Sequence, residues 1–170
     1  MKPQQATKSG HKSTVTLPND RDVVVVRNFN APRALVFDAW TKPALVQRWM
    51  LGPPGWTMPV CEMDVRPGGK FNWRWRSEES GSEFGFSGEF REVERPSRIV
   101  HVERFEPGDV GGEMGEAVVT SVLTEKGGVT TMTMTIRYES KAVRDAALKT
   151  GMTDGMEMSY QKLDELLAAA

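Results

Sequence analysis

Two stretches of the sequence alternate aromatic with polar residues and offer flat apolar surface on which a ligand could stack. Trp73 and Trp75 alternate with arginines, and Phe84 and Phe86 repeat the pattern a short way along the chain. Such alternation is typical of β-strands, in which every second side chain lies on the same face. An aromatic side chain in a protein core buries roughly 150–250 Å² of surface. Ordinary core packing therefore explains this pattern as well as ligand binding does. We take all four as candidate ligand-binding residues.

A second group of candidates combines aromatic and thioether side chains. Trp49 and Trp56 flank a segment rich in Gly and Pro, and they either cover one end of a pocket or hold that segment in place. Methionine adapts to irregular ligands as readily as it fills a core. The remaining candidates are therefore methionines at strand and helix spacing and one tyrosine: Met132, Met134, Met152, Met156 and Tyr160.

His101 is the one histidine in the part of the chain that is expected to fold, and its side chain could transfer protons. On its predicted strand it shares a face with Ile99, Glu103 and Phe105. That face carries both apolar and charged residues, so alternation does not decide whether His101 points inward. A structural or solvent-facing role is the simpler interpretation.

The other titratable residues give no clear catalytic pattern. Glu62 and Asp64 lie two apart, which suits a solvated strand face better than acid–base catalysis. Arg74 and Arg76 are expected on the outer face of the sheet, although guanidinium groups also bind anionic head groups. Cys61 has no basic partner nearby in sequence and is expected to be a buried small residue. We predict no catalytic residue and leave open whether the protein is an enzyme.

Composition excludes several classes of protein. One cysteine and two histidines rule out a disulfide framework and leave little for a metal site, so we predict neither a metal nor a cofactor. The net charge of −1 argues against nucleic-acid binding. There is no apolar run long enough to span a membrane, and the N-terminus lacks a signal-peptide core. We therefore predict a cytoplasmic protein. A homodimer is compatible with the sequence, which does not decide the oligomeric state.

Hydrophobic periodicity divides the chain into elements. Residues 1–19 are polar and are predicted to be a disordered tail, with a short strand turn near residues 14–17, and residues 20–170 form one domain. The valines at 23–26 predict a strand, and Pro32 and Pro43 open two short helices. Residues 56–138 carry strand patterns separated by Gly and Pro turns, with Gly88 as an expected bend.

The last thirty residues return to helical spacing, and Gly151 and Gly155 either bend this helix or let it approach the sheet. The order β-α-α-β-β-β-β-β-β-α thus predicts an α+β fold with seven antiparallel strands. So many twisted strands curl around one long helix rather than lie flat against it. Because one helix cannot fill that trough, we expect an apolar cavity. Residues 106–116, rich in glycine, are the predicted mobile loop at its mouth.

Several spaced motifs also resemble those of a known family. They are residues 27–33 with Val36, Trp40 and Pro43, then residues 48–53, residues 64–70, and Gly155-Met156 with Tyr160, Leu163 and Leu166. Together they resemble bacterial homologues of the C-terminal domain of the heat-shock-protein-90 ATPase activator, in the START-like, birch-pollen-allergen-like (SRPBCC) superfamily. The resemblance implies a helix-grip fold with a hydrophobic cavity, and superfamily members bind lipids, sterols or polyketides or act as enzymes.

These observations lead to three functional hypotheses. We favour a protein that binds a small hydrophobic or amphipathic molecule between the sheet and the C-terminal helix. The first alternative is an enzyme acting on a polyketide-like or aromatic substrate, which requires two titratable groups that converge inside the cavity. The second is a protein-interaction module, such as a chaperone co-factor, which requires an exposed apolar patch.

Overall fold

The structure is a computed structural model that describes residues 11–107 and 115–170. These residues form eight strands and four helices. The elements before the main run of strands are β1 (Thr14–Thr16), β2 (Asp22–Phe29), α1 (Arg33–Thr41) and α2 (Pro43–Trp49). The remaining elements are β3 (Trp56–Met63), β4 (Lys70–Ser77), β5 (Glu83–Glu94), β6 (Arg98–Glu106), β7 (Glu116–Lys126), β8 (Val129–Tyr138), α3 (Lys141–Lys149) and α4 (Met152–Ala168).

All eight strands belong to one curved antiparallel sheet in the order β1-β2-β8-β7-β6-β5-β4-β3. The predicted α+β helix-grip architecture is confirmed. The extra strand is β1, which lies within the segment predicted as a tail and pairs Thr14–Thr16 with residues 24–26 of β2. Residues 1–10 lie outside the described residues, as do residues 108–114, which make up most of the predicted loop.

Register in the sheet is regular except at two places. The pairing shifts between Thr57 and Val60 in β3 and between Phe90 and Glu92 in β5. The bend expected at Gly88 is therefore two residues further along, because Gly88 itself pairs normally with Phe71 and Glu103. Glycine is needed there for space: a Cβ atom at position 88 would lie 1.8 Å from the carbonyl oxygen of Val102.

The two short helices begin at the predicted prolines, whereas the C-terminal helical region differs from the prediction. Pro43 occupies the first turn of α2, and the Ser140 hydroxyl caps α3 by accepting a hydrogen bond from the backbone N–H of Val143 at 3.2 Å. The predicted single C-terminal helix is divided into α3 and α4 at Gly151, whose φ of 80° is left-handed. Gly155 lies inside α4 and leaves it continuous. None of the described helices is both long and apolar enough to cross a membrane.

A buried ion-pair network fixes α4 against the sheet. Arg27 of β2 is 1% exposed, and its guanidinium donates to Glu157 at 3.0 Å and to Asp164 at 2.7 Å, both on α4. The two carboxylates lie seven positions apart, two turns along one helix face. Ser13 adds hydrogen bonds of 2.7 Å from its backbone N–H and its hydroxyl to Glu157. The concave face of the sheet therefore faces α4, and β1 is tied to the same helix through Ser13.

Candidate functional site

Six aromatic side chains lie together on the concave face of β4, β5 and β6. The register pairs Trp73 with Phe86 and Phe86 with Phe105, so these side chains project to the same side of the sheet. Ring centroids are 5.3 Å apart for Trp75 and Phe84, which stack, and 5.3 Å apart for Phe86 and Phe105. We call this set the aromatic face; it comprises Phe71, Trp73, Trp75, Phe84, Phe86 and Phe105.

Burial divides the aromatic face into two parts. Phe71, Trp73 and Trp75 are buried, whereas Phe84, Phe86 and Phe105 are only half-buried. Trp56 extends the half-buried part, since its ring meets that of Phe84 edge-on at 5.3 Å. Apolar ring surface on the concave side of the sheet is thus left accessible beside a fully packed aromatic base.

A polar pair adjoins the aromatic face. His101 pairs with Phe90 and Glu103 pairs with Gly88, which places both side chains on the concave face. His101 Nε2 lies 2.9 Å from Glu103 Oε1, and both side chains are largely shielded from solvent. The imidazole packs edge-on against the ring of Phe71 at 5.3 Å. This arrangement decides the question left open by the strand pattern: His101 points inward.

Glu103 also influences Tyr138 across the concave face. Burial, and then the negative charge of Glu103, raise the pKa of the Tyr138 phenol well above its usual range. The phenol therefore stays protonated, and its hydroxyl donates to the sulfur of Met152 on α4 at 3.3 Å. Met152 is thus held at the boundary between α4 and the sheet through its contact with Tyr138.

The other half of the concave face is packed solid. Tyr160 of α4 contacts the rings of Phe29 at 5.8 Å and Trp49 at 6.2 Å, and Met132 is fully buried. The cavity lined by Met132 in this region holds about 10 Å³, which is room for one water molecule at most. Trp49, Met132 and Tyr160, predicted to bind a ligand, are core residues here because α1 and α2 fill the space that one helix alone would leave.

The remaining concave residues differ in exposure and reactivity. Met134 is buried on β8, and Met156 is half-buried on α4. Cys61 pairs with Trp73 at the margin of the aromatic face, and burial raises the pKa of its thiol to about 11. The thiol is therefore a poor nucleophile at neutral pH, as expected for a structural cysteine.

The indole N–H groups of the buried tryptophans are treated differently. Trp49 donates to the carbonyl of Ala39 at 2.9 Å, and Trp75 donates to the carbonyl of Met50 at 2.6 Å. The indole nitrogen of Trp73 is buried and has no hydrogen-bond acceptor among the described residues. Sequence could not reveal this difference, because all three are aromatic residues in apolar surroundings.

The convex face carries the charged residues of the same strands. An open groove of about 460 Å³ is lined there by side chains of both charges, among them Glu62, Arg74 and Glu106. Glu62 therefore lies on the opposite side of the sheet from His101, and it does not join the His101–Glu103 pair. Among the described residues, the large apolar side chains that are exposed are those of Val15, Leu17, Leu35 and Met158, and these are not on the convex face of β3 to β8.

Known proteins share this fold and much of this length. A Rhodobacter sphaeroides protein of known structure is 29% identical to this chain and superposes on it with a TM-score of 0.85. The match covers 94% of this chain and 100% of the Rhodobacter protein. A protein from Nitrosomonas europaea shares the fold with 24% identity and a TM-score of 0.76, and the match covers 90% of this chain and 97% of that one. A protein from Mycobacterium smegmatis shares it with 22% identity and a TM-score of 0.81, and the match covers 93% of this chain and 98% of that one. No curated protein matches the sequence.

One family model covers most of the chain. It matches residues 30–168, from the residue after β2 to the end of α4, and its description is activator of Hsp90 ATPase homolog 1-like protein. The resemblance that the sequence motifs indicate is therefore confirmed. The strands that carry the aromatic face, β4 to β6, and all four helices fall within the matched residues. The chain belongs to the activator of Hsp90 ATPase homolog 1-like family.

Proposed function

We propose that the protein binds a small, largely hydrophobic molecule on the aromatic face, between the sheet and α4. The observation that carries the proposal is the half-buried state of Phe84, Phe86 and Phe105 on a concave surface. Apolar surface left accessible in a concavity is a typical feature of small-molecule sites. The rings stand at centroid distances of 5.3–6.0 Å from one another, so a flat guest can stack on them without rearranging the sheet.

The distribution of polar groups supports the same proposal. A small-molecule site is mostly apolar with a few polar groups that orient the ligand. The His101–Glu103 pair supplies such groups at one side of the aromatic face. Of the residues predicted from the sequence, Trp56, Trp73, Trp75, Phe84 and Phe86 belong to the proposed site. Met134 is on β8, and Met152 and Met156 are on α4, outside the aromatic face.

A fluorescence titration with the neutral probe N-phenyl-1-naphthylamine tests the proposal. We expect saturable binding at one site per chain. Phe84→Ala and Phe86→Ala should each weaken binding by about tenfold, the equivalent of losing roughly 1.4 kcal/mol of ring contact. Leu35→Ala, which removes an exposed apolar side chain on α1, is the control and should leave the affinity unchanged. Unsaturable binding, or equal affinity in all four proteins, would contradict the proposal.

The inward-facing His101–Glu103 pair favours one alternative function, proton-transfer catalysis on an aromatic substrate. A carboxylate on one imidazole nitrogen orients the ring and supports the other nitrogen as a general base. His101 would accept a proton from a carbon next to a carbonyl group and return it to the same carbon. Glu103 would stabilise the imidazolium in between.

Deuterium exchange tests this alternative directly. In D₂O the methyl protons of 2-acetylnaphthalene should exchange faster with the wild-type protein than with His101→Gln, as followed by proton NMR. Equal exchange rates would exclude the catalytic role of His101 and leave the binding role untouched. Glu62→Gln is the matched control, because Glu62 is an acidic residue on the opposite face of the sheet.

A further inference from the structure

We infer that the ligand of the aromatic face is a neutral aromatic molecule bearing an oxygen acceptor, which accepts a hydrogen bond from the indole N–H of Trp73. This inference rests on the proposed function and narrows it to a chemical class. Its basis is the unpaired indole nitrogen of Trp73, which lies within the proposed site rather than in the packed half of the molecule.

The position of Trp73 places its donor beside both parts of the site. The Trp73 side chain is 7% exposed and projects from β4 to the concave side. Its ring lies 4.3 Å from that of Phe71 and 5.8 Å from the imidazole of His101, measured between centroids. A ligand that stacks on Phe86 and Phe105 therefore has its polar end near Trp73 when that end faces His101.

A buried donor without an acceptor is unfavourable in the free protein. Native proteins pair nearly all such groups, and an exception calls for an explanation. Trp49 and Trp75, in the same sheet-and-helix core, both reach a backbone carbonyl. The explanation that fits Trp73 is an acceptor supplied by the ligand. Because the N–H is shielded from solvent, that acceptor reaches it when the ligand takes the place of side chains covering the indole.

Nearby charges favour a neutral ligand over an anion. Glu103 lies 2.9 Å from His101, whose ring centroid is 5.8 Å from that of Trp73, so a ligand carboxylate that faces this pair would be repelled by the charge of Glu103. Arg27 is the buried cation on the same face, but its guanidinium is already engaged by Glu157 and Asp164. The ligand group must accept a hydrogen bond from Trp73 and must carry no negative charge. A carbonyl or ether oxygen meets both conditions.

Calorimetric titrations with three naphthalene probes separate the contribution of the hydrogen bond from the contributions of ring contact and charge. 2-Acetylnaphthalene carries the acceptor, 2-isopropenylnaphthalene replaces its carbonyl oxygen by a methylene group, and 2-naphthoate is the anion at neutral pH. We expect the ketone to bind wild-type protein about tenfold more tightly than the alkene, as one buried hydrogen bond supplies. The carboxylate should bind more weakly than the ketone. Trp73→Phe should bind ketone and alkene equally.

Trp75→Phe is the matched control, because the N–H of Trp75 already donates to a carbonyl. It should keep the tenfold preference for the ketone even if both affinities fall. If the alkene and the ketone bind wild-type protein equally, the inference about Trp73 is wrong while the proposed binding function stands. If neither probe binds, the proposed function itself is wrong. If naphthoate binds as tightly as the ketone, the inference that the ligand is neutral is wrong.

A spectroscopic test uses the wild-type protein and holds even if Trp73→Phe does not fold. The five tryptophans give separate indole N–H signals in ¹⁵N-labelled protein. The Trp73 signal should move to higher proton frequency with 2-acetylnaphthalene and much less with 2-isopropenylnaphthalene. Equal shifts with the two probes would overturn the inference.

Discussion

At the scale of single residues, Arg27 is the buried polar side chain that links β2 to α4. A cation taken out of water is stabilised only if its charge is matched and its donors are satisfied. Glu157 and Asp164 provide both, and their spacing puts them on the helix face that meets β2. Losing one member would leave uncompensated charge in the interior, so the network is a specific requirement of this fold.

Replacing Arg27 should therefore destabilise the protein strongly. We expect Arg27→Met to lower the free energy of unfolding by about 3–5 kcal/mol, because the largely shielded carboxylates of Glu157 and Asp164 lose their partner. Urea denaturation measures the change. Arg66→Met is the matched control: Arg66 pairs with Asp64, but its side chain is 74% exposed, and its loss should cost less than about 1 kcal/mol. Equal effects of the two substitutions would contradict this account.

Glu157 makes the same network sensitive to acid. Burial by itself raises the pKa of Glu157, but hydrogen bonds from Arg27 and Ser13 outweigh it and lower the pKa from 4.5 to about 2. A group with a lowered pKa in the folded state stabilises that state above its unfolded pKa. This contribution is lost as the pH falls through the folded pKa.

A pH series of unfolding experiments tests this linkage. The difference in free energy of unfolding between the wild type and Glu157→Gln should be constant at pH values above 4.5 and should shrink as the pH falls toward 2. The sign follows because the unfolded chain takes up the proton first. A difference that stays the same between about pH 7 and about pH 2.5 would show that Glu157 is not the titrating group.

At the scale of elements, two glycines in the C-terminal region have opposite roles. Gly151 separates α3 from α4 with a left-handed backbone, which lets α4 change direction and lie along the sheet. Gly155 is helical, and a Cβ atom added there would meet only a Pro53 side-chain carbon at 4.0 Å. The helical spacing of the sequence alone treats the two positions alike, since both interrupt an otherwise periodic stripe.

Alanine substitution should separate these roles. Gly151→Ala should destabilise the protein by about 1–2 kcal/mol, because an L side chain is strained at a positive φ. Gly155→Ala should stabilise it by roughly 0.5–1 kcal/mol, because alanine loses less entropy in a helix. Urea denaturation of the two variants side by side provides the measurement. A stabilising effect of Gly151→Ala would show that the break between α3 and α4 is not maintained in solution.

At the scale of the whole molecule, sheet and helices share one core. The buried cluster runs from Val23 on β2 to Leu167 on α4 and includes residues of α1 and α2. Neither the concave face nor α4 can bury its apolar side without the other. The protein should therefore unfold as one cooperative unit, although its aromatic face is less densely covered than the half around Tyr160.

Leu163→Ala tests that cooperativity. Leu163 is fully buried on α4, so we expect a loss of about 2–5 kcal/mol in the free energy of unfolding. Far-ultraviolet and near-ultraviolet circular dichroism should report the same shifted transition. Met158→Ala, which truncates a side chain 41% exposed on the same helix, should change stability by less than about 0.5 kcal/mol. Separate transitions for helix and sheet would contradict a single core.

The sequence by itself determined the elements and the class of fold. Period-two alternation located β4 and β5, prolines located the starts of α1 and α2, and the C-terminal stripe located the helix that the sheet surrounds. These are local properties, because side-chain period and backbone restriction act within a few residues. The spaced motifs that indicated the family have the same local character, and the match over residues 30–168 confirms them.

Only the tertiary structure decided which residues form the aromatic face. Alternation put His101 and Glu103 on one strand face but left the direction of that face undetermined; the pairing of His101 with Phe90 turns it inward. Trp49 and Tyr160 carry the same apolar character as Phe84, yet they are buried in the core with α1 and α2, whereas Phe84 is only half-buried. Both outcomes depend on contacts between residues far apart in the chain, where register and packing, rather than local propensity, decide where each side chain lies.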